Sequence, residues 1–176
     1  MDFSRLLSRL EEAEKMEVDG KIKVYEVQKP PRKVLVKRGV KAADYMAYCE
    51  EVGCEIWDEL LAMVQPGEEP VSLWLPEGLR AGGSEYVQGV EVPVEYAEAV
   101  PAGFDAVELP TARYLVFHGP VFADEDYEEA IAAVWAAMAG FDPGQLGFAW
   151  DDTQPRVQLE PRGERGYMEM RAVRVK

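Results

Sequence analysis

Aromatic side chains are the first candidates for chemistry in this sequence of 176 residues. Their rings offer flat apolar area and stabilise cations over their faces. Two tryptophans are predicted to end equivalent strands of two sequence halves, and two tyrosines to occupy corresponding first turns of two helices. Core packing explains each ring equally well at this stage. We expect a ligand-binding surface that draws on Tyr45, Trp74, Tyr127, Trp150 and Tyr167.

Two strand carboxylates form a second group of candidates. Glu91 in the string GVEV and Glu169 in YMEM occupy comparable places in predicted strands. A solvated sheet face accounts for either residue without a function. A buried carboxylate with a raised pKa would instead be a candidate for proton transfer.

Cysteine and histidine offer little further chemistry. Cys49 and Cys54 lie five residues apart on one predicted helix, which places them poorly for a disulfide, so we interpret them as packing thiols. His118, the one histidine, is interpreted as a structural side chain at a strand end. The sequence has no phosphate-binding glycine loop, nucleophile elbow or metal-binding helix motif, and we expect neither a metal nor a cofactor.

Charge is distributed unevenly along the chain, whose net charge is −14. Residues 42–155 contain 2 basic and 23 acidic side chains, whereas residues 1–41 and 156–176 carry net charges of +4 and +3. Such an acidic block disfavours nucleic-acid binding and raises the local concentration of cations. Plain solubility is the alternative explanation.

Targeting signals are not apparent in the sequence. There is no apolar run of about 18 residues, and the acidic start, MDFSRLLSRLEEAEK, does not resemble a secretion signal. We therefore expect a cytoplasmic protein with no membrane association, and a length near that of one domain.

Hydrophobic periodicity predicts an alternation of strands and helices. Helices are predicted at residues 2–16, 42–64 and 124–141. Strands are predicted at residues 21–38 with a break at Pro30–Pro31, and at 71–76, 85–94, 107–119, 146–150, 156–160 and 167–175. Gly89 inside its strand predicts a bulge or a close backbone approach.

The order strand, helix, strand, strand occurs twice. The string PRKVLVKRG matches TARYLVFHG at a spacing of 80 residues, which aligns Leu35 with Leu115 and Val36 with Val116. YVQGVEV aligns roughly with YMEMRAVRV. We predict an α+β fold of duplicated β-α-β-β units with pseudo-twofold symmetry, an antiparallel sheet with two helices on one face, and an extra N-terminal helix.

The strings YVQGVEV, VPAGFDAVELPTARYLVFHG, GFAWDD and GYMEMRAVRVK resemble the GyrI-like small-molecule-binding domain, the effector-binding domain of multidrug-responsive regulators. The similarity covers residues 21–176, with halves of about 21–95 and 105–176, and leaves residues 1–20 as a helical extension. It implies two related units with a groove between them that takes up flat, hydrophobic and often cationic molecules. The chain looks like a stand-alone member of this family.

The same resemblance implies a glutamate on the penultimate strand of the binding or catalytic centre. The matching position here is Gln158, and Glu160 lies two residues further on the same strand face. A glutamine neither neutralises a buried cation nor accepts a proton as a general base. This departure weakens both a hydrolase and a purely cationic ligand.

Three functional hypotheses follow. The first is a protein that senses or sequesters hydrophobic compounds, cationic ones included, with Gln158 and Glu160 as polar anchors among the five aromatic residues. The second is a hydrolase of cyclopropane-containing toxins, as some stand-alone members are, with Glu160 as its catalytic carboxylate. The third is an acidic protein that interacts with DNA gyrase.

Overall fold

Ten strands and three α-helices make up the part of the chain that the computed structural model describes, residues 16–18 and 21–176. The strands are β1 (Met16–Val18), β2 (Ile22–Lys29), β3 (Arg32–Lys37), β4 (Val71–Trp74), β5 (Tyr86–Pro93), β6 (Asp105–Leu109), β7 (Ala112–His118), β8 (Phe148–Trp150), β9 (Arg156–Gln158) and β10 (Met168–Val175). The helices are α1 (Tyr45–Val52), α2 (Ile56–Met63) and α3 (Tyr127–Gly140). The predicted α+β class is confirmed.

The sheet is symmetric about its central strand pair. Its order is β1-β2-β7-β10-β9-β4-β5-β3-β6, with β8 on the side of β10, and neighbouring strands are antiparallel. Reading outward from the β4–β9 pair, β5, β3 and β6 on one side correspond to β10, β7 and β2 on the other. The duplication predicted from the 80-residue period is therefore present in the strand pairing.

The two halves exchange their first strands. β2 leads into β3 through only two residues, Pro30 and Pro31, yet it pairs with β7 of the other half over seven residue positions. β6 likewise leads into β7 but pairs with β3. Proline restricts the backbone and removes a hydrogen-bond donor, so each proline-containing link turns the chain away from its own half. Each half is thus completed by a strand from the other.

Side-chain alternation divides the apolar residues between the two faces of the sheet. On one face, Leu35 packs with α1 and α2, and Leu115 packs with α3. On the other face, Val36 and Val116 belong to a single buried cluster that also takes in residues of β2 and β6. Because that cluster unites strands from opposite ends of the sheet order, the sheet curls around it.

The helix predicted at residues 42–64 is divided in two at Gly53. The φ of Gly53 is 95°, a left-handed conformation that favours glycine. The helix-bearing face of the sheet therefore carries three helices instead of the two predicted. Asp44 begins α1 by accepting a hydrogen bond from the Ala47 amide at 2.8 Å. The helix predicted at 2–16 lies outside the described residues except for Met16, which is in β1.

Acidic residues introduce α3, as the sequence indicates. Asp124–Asp126 form a short 3₁₀ turn directly before Tyr127–Gly140. Negative charge at this end interacts favourably with the helix dipole. Among the described residues, no helix is long and apolar enough to cross a membrane.

Gly89 lies where two backbones approach closely. It pairs with Val36 on one side and Val71 on the other, in an uninterrupted ladder rather than a bulge. A Cβ atom at this position would lie 2.3 Å from the Leu35 carbonyl oxygen and 2.9 Å from a Val36 methyl carbon. The close approach predicted from the sequence is confirmed.

We expect Gly89→Ala to lower the free energy of unfolding by about 1–3 kcal/mol, because the added methyl group must displace backbone rather than a flexible side chain. Gly78→Ala is the matched control, since a Cβ atom there meets nothing within 4 Å. Urea denaturation of both variants measures the difference. Equal stability of the two variants would contradict the packing described for Gly89.

A buried ion pair lies on the face of the sheet opposite the helices, here called the enclosed face, where the two halves meet. The Lys29 ammonium of β2 contacts the Glu91 carboxylate of β5, and both residues are less than a tenth exposed. Arg32 lies 3.8 Å from the same carboxylate and donates to the Pro110 carbonyl at 3.2 Å. Burial opposes ionisation of Glu91, but the charges of Lys29 and Arg32 outweigh it and lower its pKa to about 2.

We expect Lys29→Met to lower the free energy of unfolding by about 3 kcal/mol or more, because it leaves a buried carboxylate with less compensation. The double variant Lys29→Met/Glu91→Leu should recover only part of that loss, since it removes both charges of the pair but leaves the buried Arg32 without its nearby carboxylate. Denaturant unfolding of both proteins gives the comparison. A double variant less stable than Lys29→Met would show that the ion pair does more than offset the cost of burying its two charges.

Candidate functional site

A cavity of about 470 Å³ lies on the helix-bearing face, over the centre of the sheet. Its floor is formed by residues of β4, β5 and β9, and its walls by α1, the start of α2, and α3. It therefore lies on the pseudo-twofold axis between the halves. The lining residues are Tyr45, Cys49, Cys54, Ile56, Trp57, Ser72, Tyr86, Gln88, Tyr127, Ile131, Gln158, Leu159, Glu160 and Pro161.

A row of polar side chains crosses four adjacent strands on the face of the sheet beneath the cavity. Strand register pairs Gln88 with Ser72, Ser72 with Gln158, and Gln158 with Glu169. Ser72 and Gln88 are almost fully buried, and Glu169 has no exposed surface. Since buried polar groups require partners, this row should be tied together by hydrogen bonds.

Those hydrogen bonds form a chain with a single direction. The Tyr86 hydroxyl donates to the Gln158 Oε1 atom at 2.9 Å, and Gln158 Nε2 donates to the Tyr167 hydroxyl at 2.7 Å. The Tyr167 hydroxyl then donates to the Glu169 carboxylate at 3.1 Å. A tyrosine has one proton to donate, so the acceptor Glu169 fixes the orientation of Gln158 through Tyr167.

Glu169 accepts from two further donors. The Trp135 indole of α3 donates to it at 2.5 Å, and Arg156 Nε donates at 2.6 Å in an ion pair. Burial nevertheless raises the pKa of Glu169, and the Arg156 charge and the hydrogen bonds offset only part of that effect. Burial also raises the pKa of Tyr167 well above its ordinary value. Tyr167 therefore stays a neutral donor.

The walls repeat the pseudo-twofold relation. Tyr45 and Cys49 of α1 face the cavity from one half, and Tyr127 and Ile131 of α3 from the other, each pair four residues apart. A hydrogen bond with the Cys49 thiol raises the pKa of Tyr45 to about 12. Both tyrosines are about half exposed, so they stand at the cavity mouth.

The two cysteines line the cavity instead of packing inside one helix. The interruption at Gly53 separates Cys49 on α1 from Cys54 before α2, and both are free thiols. A hydrogen bond with Cys49 raises the pKa of Cys54. In residues 16–18 and 21–176, no three side chains of His, Cys, Asp or Glu come together as metal ligands.

Glu160 also lines the cavity, as its position two residues after Gln158 predicts. Its carboxylate accepts two hydrogen bonds from Arg162, at 3.2 and 3.3 Å. Its side chain is 39 % exposed, so this carboxylate lies at the rim.

The two predicted strand-end tryptophans lie outside the cavity lining. Trp74 ends β4, donates to the Ala43 carbonyl at 3.0 Å and stacks under the Arg156 guanidinium, 4.1 Å from the ring centre. Trp150 ends β8, where it contacts Phe117 and Phe141. The predicted equivalence of their strands is wrong, because the partner of β4 across the axis is β9, while β8 pairs with the far end of β10.

Solved structures with the same architecture give an independent comparison. A structure of SAV2435 bound to tetraphenylphosphonium aligns with a TM-score of 0.56 and 14% identity over 87% of this chain and 93% of that chain. An uncharacterized conserved protein from Listeria innocua aligns with a TM-score of 0.50 and 11% identity over the full length of both chains. The fold is shared. No protein-family model and no curated protein matches the sequence.

Four of the residues predicted from the sequence line the cavity: Tyr45, Tyr127, Gln158 and Glu160. Two residues of its floor, Ser72 and Gln88, were not predicted. Ser72 and Gln88 are single polar residues within largely apolar strand segments, a pattern equally typical of a solvated face. The internal repeat could have identified both residues, because Ser72 matches Gln158 of the second half and Gln88 matches Glu169. Glu169 was recognised only as one of two comparable strand carboxylates.

Glu169 should make stability depend on pH. Its pKa in the folded protein lies above the ordinary 4.5, so the folded state holds the proton more tightly and stability falls as pH rises from about 4.5 towards that raised value. We expect the difference in free energy of unfolding, native minus Glu169→Gln, to be level below this window and to fall across it. Urea denaturation at a series of pH values measures it. A difference that rises with pH would contradict the assignment.

Proposed function

We propose that this protein binds hydrophobic aromatic small molecules in the cavity between its halves. The observation that carries the proposal is a cavity of about 470 Å³ with largely apolar walls and a hydrogen-bonded polar floor. Ligand sites of proteins typically occupy about 300–1,000 Å³ and combine such walls with a few polar groups. The cavity matches both requirements.

The walls suit flat rings in particular. Tyr45 and Tyr127 stand at the mouth, and Trp57 lies on the wall formed by α2. Rings of this kind contribute contact area and favour edge or offset packing with an aromatic ligand. Both tyrosines are about half exposed, so their rings can contact a ligand at the mouth.

The other predicted ligand-binding residues have different roles in the proposal. Gln158 lies on the floor and contacts the ligand directly, and Tyr167 acts behind it through the 2.7 Å hydrogen bond. Trp74 contributes by holding Arg156 in place. Trp150, in its contacts with Phe117 and Phe141, supports the sheet beneath α3 rather than the ligand.

Two resemblances support this function. The sequence strings resemble the GyrI-like small-molecule-binding domain, and one protein with the same fold has been solved with tetraphenylphosphonium bound. That compound consists of four phenyl rings around one centre. An aromatic ligand of this general size is therefore a suitable first probe.

The hydrolase alternative depends on Glu160. This residue lines the cavity, but its carboxylate is paired with Arg162, an arrangement that favours binding over activation of water. Both the hydrolase and the gyrase partner stay predictions.

We expect triphenylphosphine oxide to raise the melting temperature of the protein in a saturable manner, because a ligand that binds only the folded state stabilises it. Ile131→Trp, which fills the cavity from α3, should weaken the affinity at least about tenfold, equivalent to 1.4 kcal/mol. Thermal shift and isothermal titration calorimetry measure the two effects.

Leu61→Trp is the matched control, because Leu61 is an exposed apolar residue on α2 that does not line the cavity. It should leave the affinity unchanged. Binding that persists in Ile131→Trp would place the site elsewhere, and no saturable shift in the native protein would overturn the proposal.

A further inference from the structure

We infer that the cavity selects neutral aromatic compounds that carry a hydrogen-bonding group, over aromatic cations of the same shape, because Arg156 neutralises Glu169 behind the cavity floor. This inference rests on the proposed function and names its ligand class. It concerns charge, and it departs from the often cationic ligands that the family resemblance implies and from the tetraphenylphosphonium cation of the SAV2435 structure.

The first step is the charge at Glu169. This carboxylate is fully buried, and it pairs with Arg156 at 2.6 Å. The Tyr167 hydroxyl and the Trp135 indole donate to it as well. Ion pair and hydrogen bonds together leave no uncompensated negative charge for a ligand to meet.

The second step is access to the site. Glu169 is not among the described residues that line the cavity, since Gln158, Tyr167 and Trp135 surround its carboxylate. Among the lining residues described, Glu160 is the only carboxylate, and it is paired with Arg162 at the rim. A cation in the cavity would gain only ring faces and a carboxylate that is already paired, which does not replace its lost hydration with a counter-charge.

The third step is what the floor offers instead. Gln158 Nε2 carries a second hydrogen besides the one it donates to Tyr167, and the Gln88 side chain lies on the same floor with its own amide group. The Ser72 hydroxyl, which lies between them in the strand register, hydrogen-bonds to the Tyr86 hydroxyl, as does Gln88 Nε2 at 3.5 Å. A neutral acceptor such as a carbonyl or phosphoryl oxygen can pair with the second amide hydrogens of Gln158 and Gln88.

The acidic surface does not reverse this preference. The net charge of −14 attracts cations to the protein from solution. At about 150 mM salt the screening length is about 8 Å, so exposed charges on distant surfaces contribute little inside the cavity. Selectivity there depends on the groups within one or two contacts of the ligand.

The test compares two probes of nearly equal shape, neutral triphenylphosphine oxide and cationic methyltriphenylphosphonium. Calorimetric titration at about 150 mM salt and about pH 8, well above the ordinary pKa of a glutamate, gives both affinities. We expect the native protein to bind the oxide at least about tenfold more tightly, a difference of 1.4 kcal/mol. Arg156→Gln should reduce that ratio at least about threefold, and the double variant Arg156→Gln/Glu169→Gln should restore it.

Gln158→Glu supplies a second variant that keeps the Arg156 contacts. It places a carboxylate on the cavity floor and should bring the cation to equal or tighter binding than the oxide. A native protein that binds the cation as tightly as the oxide overturns this inference but leaves the proposed function standing. Because loss of Arg156 raises the pKa of Glu169 further, the Arg156→Gln ratio is also measured at a series of rising pH values. A ratio that stays unchanged throughout overturns the role of Arg156, and binding of neither probe to the native protein overturns the proposed function itself.

Discussion

The antiparallel pairing of β4 with β9 is the constraint on which the rest of the site depends. It joins the two halves at the centre of the sheet and places Ser72 opposite Gln158. Because residues across a strand pair share a face, this register also fixes Gln88 and Glu169 on that face, one strand further out on each side. A slip of one residue would turn the whole polar row to the enclosed face, where Val71, Leu73 and Val157 now pack. The cavity and the hydrophobic core are thus specified by one register.

The exchanged strands explain why this register is rigid. β2 and β6 each belong to one half by connection and to the other by pairing, so the halves cannot separate without breaking both ladders. The Lys29–Glu91 pair reinforces the exchange, since its members come from β2 and β5, strands that lie on opposite sides of the central pair. The face that carries this pair is closed and apolar, whereas the opposite face is covered by helices from the two halves that do not meet over the axis. The cavity occupies the space between those helices.

Much of this fold could be predicted from the sequence, because Leu35, Val36 and their counterparts 80 residues later have the side-chain types that two-sided burial requires. The close backbone approach at Gly89 could also be predicted, because a glycine among β-branched strand residues indicates one. The interruption at Gly53 was not, since the apolar stripe continues through it and only the backbone conformation reveals the break. The exchange of β2 and β6 is a long-range pairing that no local pattern encodes. Ser72 and Gln88 of the floor were not predicted, because single polar residues within apolar strand segments are equally typical of exposed sheets.

The two halves differ in the polar row beneath the cavity. Tyr86 and Tyr167 occupy matching places next to the axis, but the residue two positions later is Gln88 in one half and Glu169 in the other. Gln88 reaches the cavity, whereas Glu169 is held behind it by Trp135 of α3 and Arg156 of β9. The buried carboxylate is an acceptor only, so it orders Tyr167, Gln158 and Tyr86 into one direction of hydrogen bonding. A symmetric site with glutamine in both halves would lack that fixed end, and its amides could rotate freely. The asymmetry therefore converts a duplicated fold into a cavity whose hydrogen-bonding pattern is fixed before a ligand enters.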